Sequence, residues 1–253
     1  FKGIPIIERT IKNIIDLKFF NKIIVSTDDK EIASIAIKAG AEIPFTRPNS
    51  LSGDFTSTRE VILHAIDWYE SNGEELENIC CLYATSVLLQ TNDLIKAFEM
   101  LSESSKNSYV FSVTKYRHPI QRALYLSKDN TTKMFSRDDF FKRTQDLEDT
   151  YHDAGQFYLA SRDTWKNKKN IFYEAKPIIN EQLDKITEYV FEVLANSNFN
   201  QEIHEAFMDC AIGTGVLLVE EGDALSPINF TAVPLPRVML NNGPDQKIDT
   251  VFR

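Results

Sequence analysis

Over the first 120 residues, stretches with helical apolar spacing alternate with short, continuous apolar runs. The spacing predicts helices, and the apolar runs predict strands buried on both faces. The predicted helices are residues 4–19, 30–39, 56–69 and 91–101, and the predicted strands are residues 22–27, 41–45, 79–84 and 109–114. This alternation indicates an α/β fold with an open, doubly wound sheet, which binds ligands beyond the carboxyl ends of its strands.

Capping and turn residues fix the ends of these elements and mark the loops of interest. Asp28 and Asp29 can cap the helix at 30–39, and Gly40 ends it. The loops that follow the predicted strands are residues 26–29, 47–58, 85–90 and 115–122. We expect a ligand site among these loops.

The last quarter of the chain has a different pattern. Helical stripes over residues 183–194 and 201–212 precede two strand-like runs, VLLVEE and INFTAVPL, which a loop at 222–227 joins as partners. Residues 1–180 carry 24 Lys and Arg against 25 Asp and Glu, whereas residues 181–253 carry 4 against 12. We therefore predict two parts, residues 1–179 and residues 180–253, the second a fragment of two helices and two strands.

The composition is that of an ordinary globular protein, with 43% hydrophobic and 26% charged residues in 253. A net charge of −9 argues against non-specific binding to nucleic acid. No apolar run approaches the roughly 18 residues of a membrane span, and the first residues lack the features of a secretory signal. Cys80, Cys81 and Cys210 are expected to be reduced core residues of a cytoplasmic protein.

No local motif is sufficient to assign a chemistry, but two segments concentrate polar groups. Arg47 precedes a hydroxyl-rich run that ends at Thr58, where a helix N-terminus could receive an anion; an ordinary surface loop with an N-cap is the alternative. Residues 143–160 gather polar and charged groups before a predicted strand. His152 and Asp153 are candidate substrate contacts there, or loop residues hydrogen-bonded to backbone.

Four segments, read in order, resemble one enzyme family. They are KIIVSTDDKEIASIAIKAGAEIPFTRP, CCLYATSVLLQ, SVTKYRHPIQRAL and FKRTQDLEDTYHDAGQFY. Their residues, order and spacing resemble those of the pseudaminic acid cytidylyltransferases, relatives of the bacterial CMP-sialic acid synthetases, over residues 1–178. The resemblance implies a Rossmann-like nucleotide-diphospho-sugar transferase fold, a three-layer sandwich that is often a homodimer. The implied substrates are CTP and a nine-carbon α-keto acid sugar, with Mg²⁺ as cofactor and no nucleic acid or membrane partner.

The resemblance also assigns candidate site residues. Those on the nucleotide side are Arg47, Thr58, Tyr83, Ala84, Thr85 and Ser86. Those in the sugar-recognition stretch are Arg143, Gln145, His152, Asp153, Gly155 and Gln156, with Arg143 a partner for the substrate carboxylate. We expect Arg47, Thr85, Arg143, His152 and Gln156 to converge on one cleft at the carboxyl ends of the strands.

The chain departs from this family in three respects. Val87 stands where the family usually has proline. The family begins with a strand and a phosphate-binding loop, and both would precede FKGIPII, the start of this sequence. Since that strand would lie between the strands at 22–27 and 79–84, we expect a gap or an exposed apolar edge there. The family's closing Asp-Ile-Asp-Thr segment, which holds Mg²⁺, is not found after residue 179, and Asp249 lies in another context. The sequence therefore predicts an inactive chain.

The tail resembles a second family. LANSNFNQEIHEAFMDCAIGTGVLLVEEGD, INFTAVPLPRVML and KIDTVFR are similar to the head-to-tail connector (portal) proteins of short-tailed bacteriophages, which form rings and have no active site. His204 is read as a helix residue rather than a metal ligand, and Gly213 and Gly215 as turn residues. An assembly artefact and a real fusion both remain open, as does the choice between pseudaminic acid and a stereoisomer.

Overall fold

The computed structural model describes residues 3–103, 108–210, 216–222, 227–233, 239–242 and 248–252. Contacts between Cα atoms divide the chain into two compact units, residues 1–181 and residues 182–253. In the described ranges, no helix combines the length and the apolar composition that a bilayer crossing requires.

The first unit contains five α-helices and six strands among its described residues. Its helices are α1 (Ile6–Ile15), α2 (Lys30–Lys38), α3 (Thr58–Ser71), α4 (Thr91–Glu103) and α5 (Arg162–Asn167). Its strands are β1 (Asn78–Leu82), β2 (Val110–Lys115), β3 (Leu124–Leu126), β4 (Thr132–Met134), β5 (Tyr151–Ser161) and β6 (Lys176–Ile179). Helix α2 begins at the predicted cap, because the Asp29 carboxylate accepts hydrogen bonds from two backbone N–H groups of the first turn.

The main sheet has four strands in the order β1-β5-β2-β6. Strand β5 is antiparallel to β1 and β2, whereas β2 is parallel to β6. Strands β1, β2 and β6 therefore run in one direction and β5 in the other. The sheet is mixed: the parallel direction expected for the strands before residue 120 holds for β1 and β2, and β6, which the sequence analysis did not predict, shares it.

Helices cover both faces of this sheet, which confirms the α/β class and the three layers. On one face, Ile14 of α1 and Leu94 of α4 pack against Val110, Phe157 and Leu159. On the other face, Ile66 of α3 and Trp165 of α5 pack against the alternate strand residues Phe111, Tyr158 and Ala160. The period of two along β5 explains this division, since successive side chains point to opposite faces.

The strands predicted at 22–27 and 41–45 are shortened to an isolated parallel bridge between Ile24 and Glu42. These segments pack on α1 and α2 around Ile11, Ala36 and Ala41, apart from the four-stranded sheet. A groove of about 660 Å³ lies between residues 22–27 and β1, with α1 and α3 as its walls. The expected gap between these two strand positions is confirmed.

The second unit contains α6 (Glu181–Asn196), α7 (Phe199–Cys210), β7 (Val216–Glu221), β8 (Ile228–Val233), β9 (Met239–Asn242) and β10 (Ile248–Phe252). The predicted hairpin is present, because β7 and β8 pair antiparallel. Asn198 caps this arrangement by bonding both backbone groups of Phe230. The second hairpin, β9 with β10, was missed by the sequence analysis.

Candidate functional site

A tight turn after β1 holds the nucleotide-side residues. The Tyr83 N–H donates to the Gln156 carbonyl oxygen at 3.1 Å, and the Ser86 hydroxyl donates to the same oxygen at 2.8 Å. The Ala84 carbonyl oxygen accepts a hydrogen bond from the Thr10 hydroxyl of α1 at 2.7 Å. The turn is therefore fixed to β5 and to α1, although Thr85 at its tip is exposed.

A chain of hydroxyl groups joins α3, β1 and β5. The Thr58 and Tyr83 hydroxyls lie 2.8 Å apart, and the Tyr83 ring meets the Tyr158 ring edge to face at 5.5 Å between centroids. The Tyr158 hydroxyl donates to the Asp153 carboxylate. Burial, together with the bonds to Asp153 and Tyr83, raises the pKa of the Tyr158 hydroxyl above its usual range. These groups present neutral donors beside one carboxylate.

A bulge in β5 positions the residues at the other end of this chain. Phe111 of β2 is opposite Tyr158, but Val113 is opposite Asp153, so four residues of β5 lie against Ser112 alone. Gly155 lies in this bulge with φ +62°, a conformation that favours glycine. Its N–H donates to the Asp153 carboxylate at 2.9 Å. The alternative in which His152 and Asp153 are loop residues is wrong, since both belong to β5.

Two buried amides lie behind the bulge. The Asn180 side chain donates to the Gln156 side-chain oxygen at 2.9 Å, and the residues are 1% and 5% exposed. The Asn180 N–H donates to the Val113 carbonyl oxygen at 2.9 Å. This pair links the end of β6 to the bulge and fixes the Gln156 side chain.

Arg47 lies in the loop after the Ile24–Glu42 bridge. Its guanidinium pairs with the Asp28 carboxylate at 3.2 Å and contacts the Ser52 hydroxyl at 3.3 Å. A hydrogen bond from its own backbone N–H and a second one from Arg47 lower the pKa of the Asp28 carboxyl. An anion near Arg47 would compete with Asp28 for the guanidinium.

The N-terminus of α3 carries a capping box. The Ser57 hydroxyl accepts from the Glu60 N–H, and the Glu60 carboxylate accepts from the Ser57 N–H at 2.8 Å. The surface-loop alternative with an N-cap describes this turn correctly. Two backbone donors that could have received an anion are used within the protein.

The structure brings together most of the candidate set. Arg47, Thr58, Tyr83 and Ala84 line the groove between residues 22–27 and β1. Ser86 and Gln156 are joined next to it, and Asp153 reaches it through Tyr158. The nucleotide-side residues and the bulge therefore lie in one region, at the end of β1.

The remaining three candidates, Arg143, Gln145 and His152, do not line the groove. Arg143 pairs with Asp146 at 2.7 Å, within a short 3₁₀ turn that also contains the exposed Gln145. The His152 ring contacts the Asp153 carbonyl oxygen at 2.9 Å and stacks edge to face on Tyr116. Among the described residues, no contact joins Arg143 or His152 to Arg47 or Thr85, and their convergence stays a prediction.

The sequence analysis did not single out three residues that build this region. Thr10 holds Ala84, Tyr158 holds Asp153, and Asn180 holds Gln156. Asn180 had a detectable signal, since it is a polar residue directly after the apolar run of β6. Thr10 and Tyr158 lie on ordinary amphipathic elements, whose polar atoms gain a role only through contacts distant in sequence.

The described ranges contain no group of three or more His, Cys, Asp or Glu side chains that could hold a metal ion. His204, on α7, is exposed. Gly213 and Gly215 lie outside the described residues.

Two family profiles match the chain, and their matches overlap over residues 157–204. The Cytidylyltransferase family profile matches residues 1–204, and that of the Bacteriophage head to tail connecting protein matches residues 157–253. A pseudaminic acid cytidylyltransferase of Campylobacter jejuni is 38% identical over 172 residues, which are 68% of this chain and 74% of the relative. An N-acylneuraminate cytidylyltransferase of Escherichia coli is 28% identical over 66% of this chain and 39% of the relative.

A solved CMP:2-keto-3-deoxy-manno-octonic acid synthetase complexed with CTP superposes with a TM-score of 0.48 at 12% identity, over 74% of this chain and 88% of that chain. The family match spans most of the sequence, and it includes every residue of the hydroxyl chain, the bulge and the groove. The chain belongs to the cytidylyltransferase family.

Proposed function

We propose that residues 1–181 have the architecture of an enzyme that transfers a cytidylyl group from CTP to a nine-carbon α-keto acid sugar of the pseudaminic acid class. In this reaction the sugar C2 hydroxyl oxygen forms a bond to the α-phosphorus of CTP. The bond from the α-phosphorus to the bridging oxygen breaks, pyrophosphate leaves, and the hydroxyl proton passes to solvent. The products are a CMP-sugar and pyrophosphate.

The contact that supports this proposal most is the hydroxyl chain from Thr58 through Tyr83 and Tyr158 to Asp153. It joins the residues assigned to the nucleotide with those assigned to the sugar. The Campylobacter relative supports the substrate class, since its name states it and the match covers three quarters of its length.

Each group in this region has a defined capacity. The Arg47 guanidinium and the Thr58 hydroxyl can donate to phosphate oxygens, which carry the charge that develops in phosphoryl transfer. Asp153 already accepts hydrogen bonds from the Tyr158 hydroxyl and from the Gly155 N–H, so it can hold these donors in place. We assign Asp153 and Tyr158 as positioning residues.

We propose that the chain as given does not turn over these substrates. The groove beside Arg47 and Thr58 lies along the edge of β1 that no described strand pairs with. The residues that would contact the nucleotide therefore have no neighbouring strand to support them among the described residues. Pyrophosphate release would be measured with CTP, pseudaminic acid and Mg²⁺. Turnover by the chain alone would contradict this part of the proposal.

A repaired chimera tests the assignment itself. The opening strand and loop of the Campylobacter relative are placed before Phe1, and residues 180–253 are replaced by the relative's closing segment. We expect pyrophosphate release to appear, with Arg143→Ala weakening sugar binding by about 2 kcal/mol, as when one partner of a charge-assisted pair is removed. Arg137→Ala, another exposed arginine in the preceding segment, is the control. A chimera that binds CTP but no nonulosonic acid would refute the substrate class.

A second candidate function is favoured for residues 182–253. The connector profile covers this whole unit, which carries 4 Lys and Arg against 12 Asp and Glu when counted from residue 181. We propose that this unit is a fragment of a ring-forming structural protein. Light scattering at several concentrations would show ring-sized oligomers, whereas stabilisation by CTP without oligomers would support the enzyme alone.

We also place the protein in a reducing compartment such as the cytoplasm. Cys80 and Cys81 are adjacent residues of β1, and both are free thiols in the structure. Their burial raises the pKa of each thiol, which keeps both in the unreactive protonated form.

A further inference from the structure

The hairpin of β7 and β8 has one strand edge that side chains cover. The Asn198 side-chain N–H donates to the Phe230 carbonyl oxygen at 2.7 Å, and its side-chain oxygen accepts from the Phe230 N–H at 2.9 Å. The Glu202 carboxylate accepts a hydrogen bond from the Ala232 N–H at 2.7 Å. Along the outer edge of β8, these two side chains therefore take the place of a neighbouring strand.

These bonds also determine the direction of the backbone groups of β7. In an antiparallel pair, two opposite residues either exchange both of their backbone hydrogen bonds or exchange none. Phe230 lies opposite Val219, and Ala232 lies opposite Leu217. Because Phe230 and the Ala232 N–H bond to side chains, Val219 and Leu217 direct their N–H and C=O groups away from β8. The same alternation directs the backbone groups of Glu221 outward.

The outer edge of β7 is uncovered in the part of the chain that the structure describes. Within that part, β7 pairs with β8 alone, and no backbone bond joins Leu217, Val219 or Glu221 to a group outside the hairpin. The Val219 side chain is 59% exposed. A row of unpaired backbone donors and acceptors beside an exposed apolar side chain is a template for a further strand.

The sequence of β7, VLLVEE, is complementary to itself in one antiparallel register. When Val219 lies opposite Val219 of a second copy, Leu217 lies opposite Glu221 and Leu218 opposite Glu220. No two carboxylates are then opposite each other. Parallel pairing in register would place each glutamate opposite the same glutamate, and like charges in that position destabilise a sheet. The antiparallel register gives about six backbone hydrogen bonds across a two-fold axis.

We propose that the outer edge of β7 is an interface with a second copy of this chain, in which the two β7 strands pair antiparallel about a two-fold axis at Val219. The product is one continuous sheet in the order β8-β7-β7-β8. Since Asn198 and Glu202 cover both outer edges of that sheet, the assembly closes as a dimer and does not extend. The interface depends neither on the proposed transfer reaction nor on the proposed ring, which needs two different surfaces on each subunit. Each proposal can therefore fail alone.

Cysteine cross-linking of the full chain tests the register. In a Cys210→Ser background, we expect Val219→Cys chains to form an intermolecular disulfide under mild oxidation, because the opposite Cα atoms of a hydrogen-bonded pair are about 5.5 Å apart. In a mixture, Leu217→Cys chains should link to Glu221→Cys chains at least about tenfold faster than either links to itself. Asn229→Cys, at an exposed position of β8, is the matched control and should not link. The background chain without a new cysteine gives the blank.

Two further variants separate backbone pairing from apolar contact. Val219→Pro removes the outward N–H and leaves the hydrogen bonds between β7 and β8 in place, whereas Val219→Ala keeps that donor and shortens the side chain. Self-association is measured by sedimentation at about 0.5 M NaCl, which screens the repulsion between two acidic units. We expect Val219→Pro to weaken it at least about tenfold more than Val219→Ala. If the proline variant does not fold, the cross-linking of the cysteine variants remains decisive.

Three results would overturn the proposal. They are a Val219→Cys disulfide no stronger than the blank, self-linking of Leu217→Cys as fast as its linking to Glu221→Cys, and equal self-association of the proline and alanine variants. A dimer that forms through another surface of the chain, or an edge that pairs with a different polypeptide, would give the first of these. Selective linking in the Val219 register, with weaker self-association of a folded proline variant, supports the proposal.

Discussion

The buried amide pair of Gln156 and Asn180 allows a quantitative test of the architecture behind the bulge. Each side chain is almost inaccessible to water, and the Asn180 amide donates to the Gln156 side-chain oxygen at 2.9 Å. Replacing one partner by leucine leaves the other as a buried polar group without this bond, which costs about 1–3 kcal/mol. We expect Asn180→Leu and Gln156→Leu each to lower the free energy of unfolding of the first unit by about 2 kcal/mol.

The double variant gives the coupling. When both partners are replaced, no buried amide is left without its hydrogen-bond partner. The combined loss is therefore expected to be about 1–2 kcal/mol smaller than the sum of the single losses. Urea denaturation followed by tryptophan fluorescence is the assay, because the only two tryptophans, Trp68 and Trp165, lie in the first unit. The signal therefore reports on this unit and not on residues 182–253. Additive losses, with coupling below about 0.5 kcal/mol, would refute the reasoning.

The remaining predictions concern single groups. Gly155→Ala is expected to destabilise the first unit by about 1 kcal/mol because of its φ of +62°, and Gly53→Ala, with open space and no positive φ, is the near-neutral control. A hydrogen bond from Arg162 lowers the pKa of the Glu70 carboxyl below 4.5. The carboxylate therefore stabilises the fold above that pH, and this contribution is lost as the pH falls below it. In urea titrations, Glu70→Gln should lose stability at pH 7 but not at acid pH. Burial raises the pKa of the Cys81 thiol from 9.0 to about 12, so stability should fall as the pH rises through this interval. In a variant whose other two cysteines are serine, a disulfide reagent should modify native Cys81 at pH 8 about 100-fold more slowly than in urea.

Local sequence signals predicted the local structure well. The Asp29 cap and the positive φ of Gly40 bound α2 where the sequence analysis placed its ends. Such features depend on a few neighbouring residues, so they can be recognised without knowledge of the rest of the fold. The segments at 22–27 and 41–45 have the same local signals as strands, but a strand needs a partner on its edge, and theirs is limited to one bridge.

The direction of β5 and the hydrogen bonds of the site could not be predicted in the same way. Residues 116–150 separate β2 from β5, so nothing local determines whether β5 runs with or against its neighbours. The bonds from Ser86 and Tyr83 to the Gln156 carbonyl oxygen join residues about 70 positions apart. The resemblance to the cytidylyltransferases selected Gln156, but the residue that fixes its side chain, Asn180, is visible only in the folded chain.

The bulge in β5 separates the scaffold from the surface that it presents. Its two flanks are pinned independently, at Phe111 with Tyr158 and at Val113 with Asp153, while Leu82 of β1 fixes Phe157 from the other side. An insertion between Asp153 and Gly155 is therefore expected to be absorbed locally, without a shift of the pairing beyond either flank. The surface beside the bulge can therefore be altered in this segment while the sheet that carries it keeps its register.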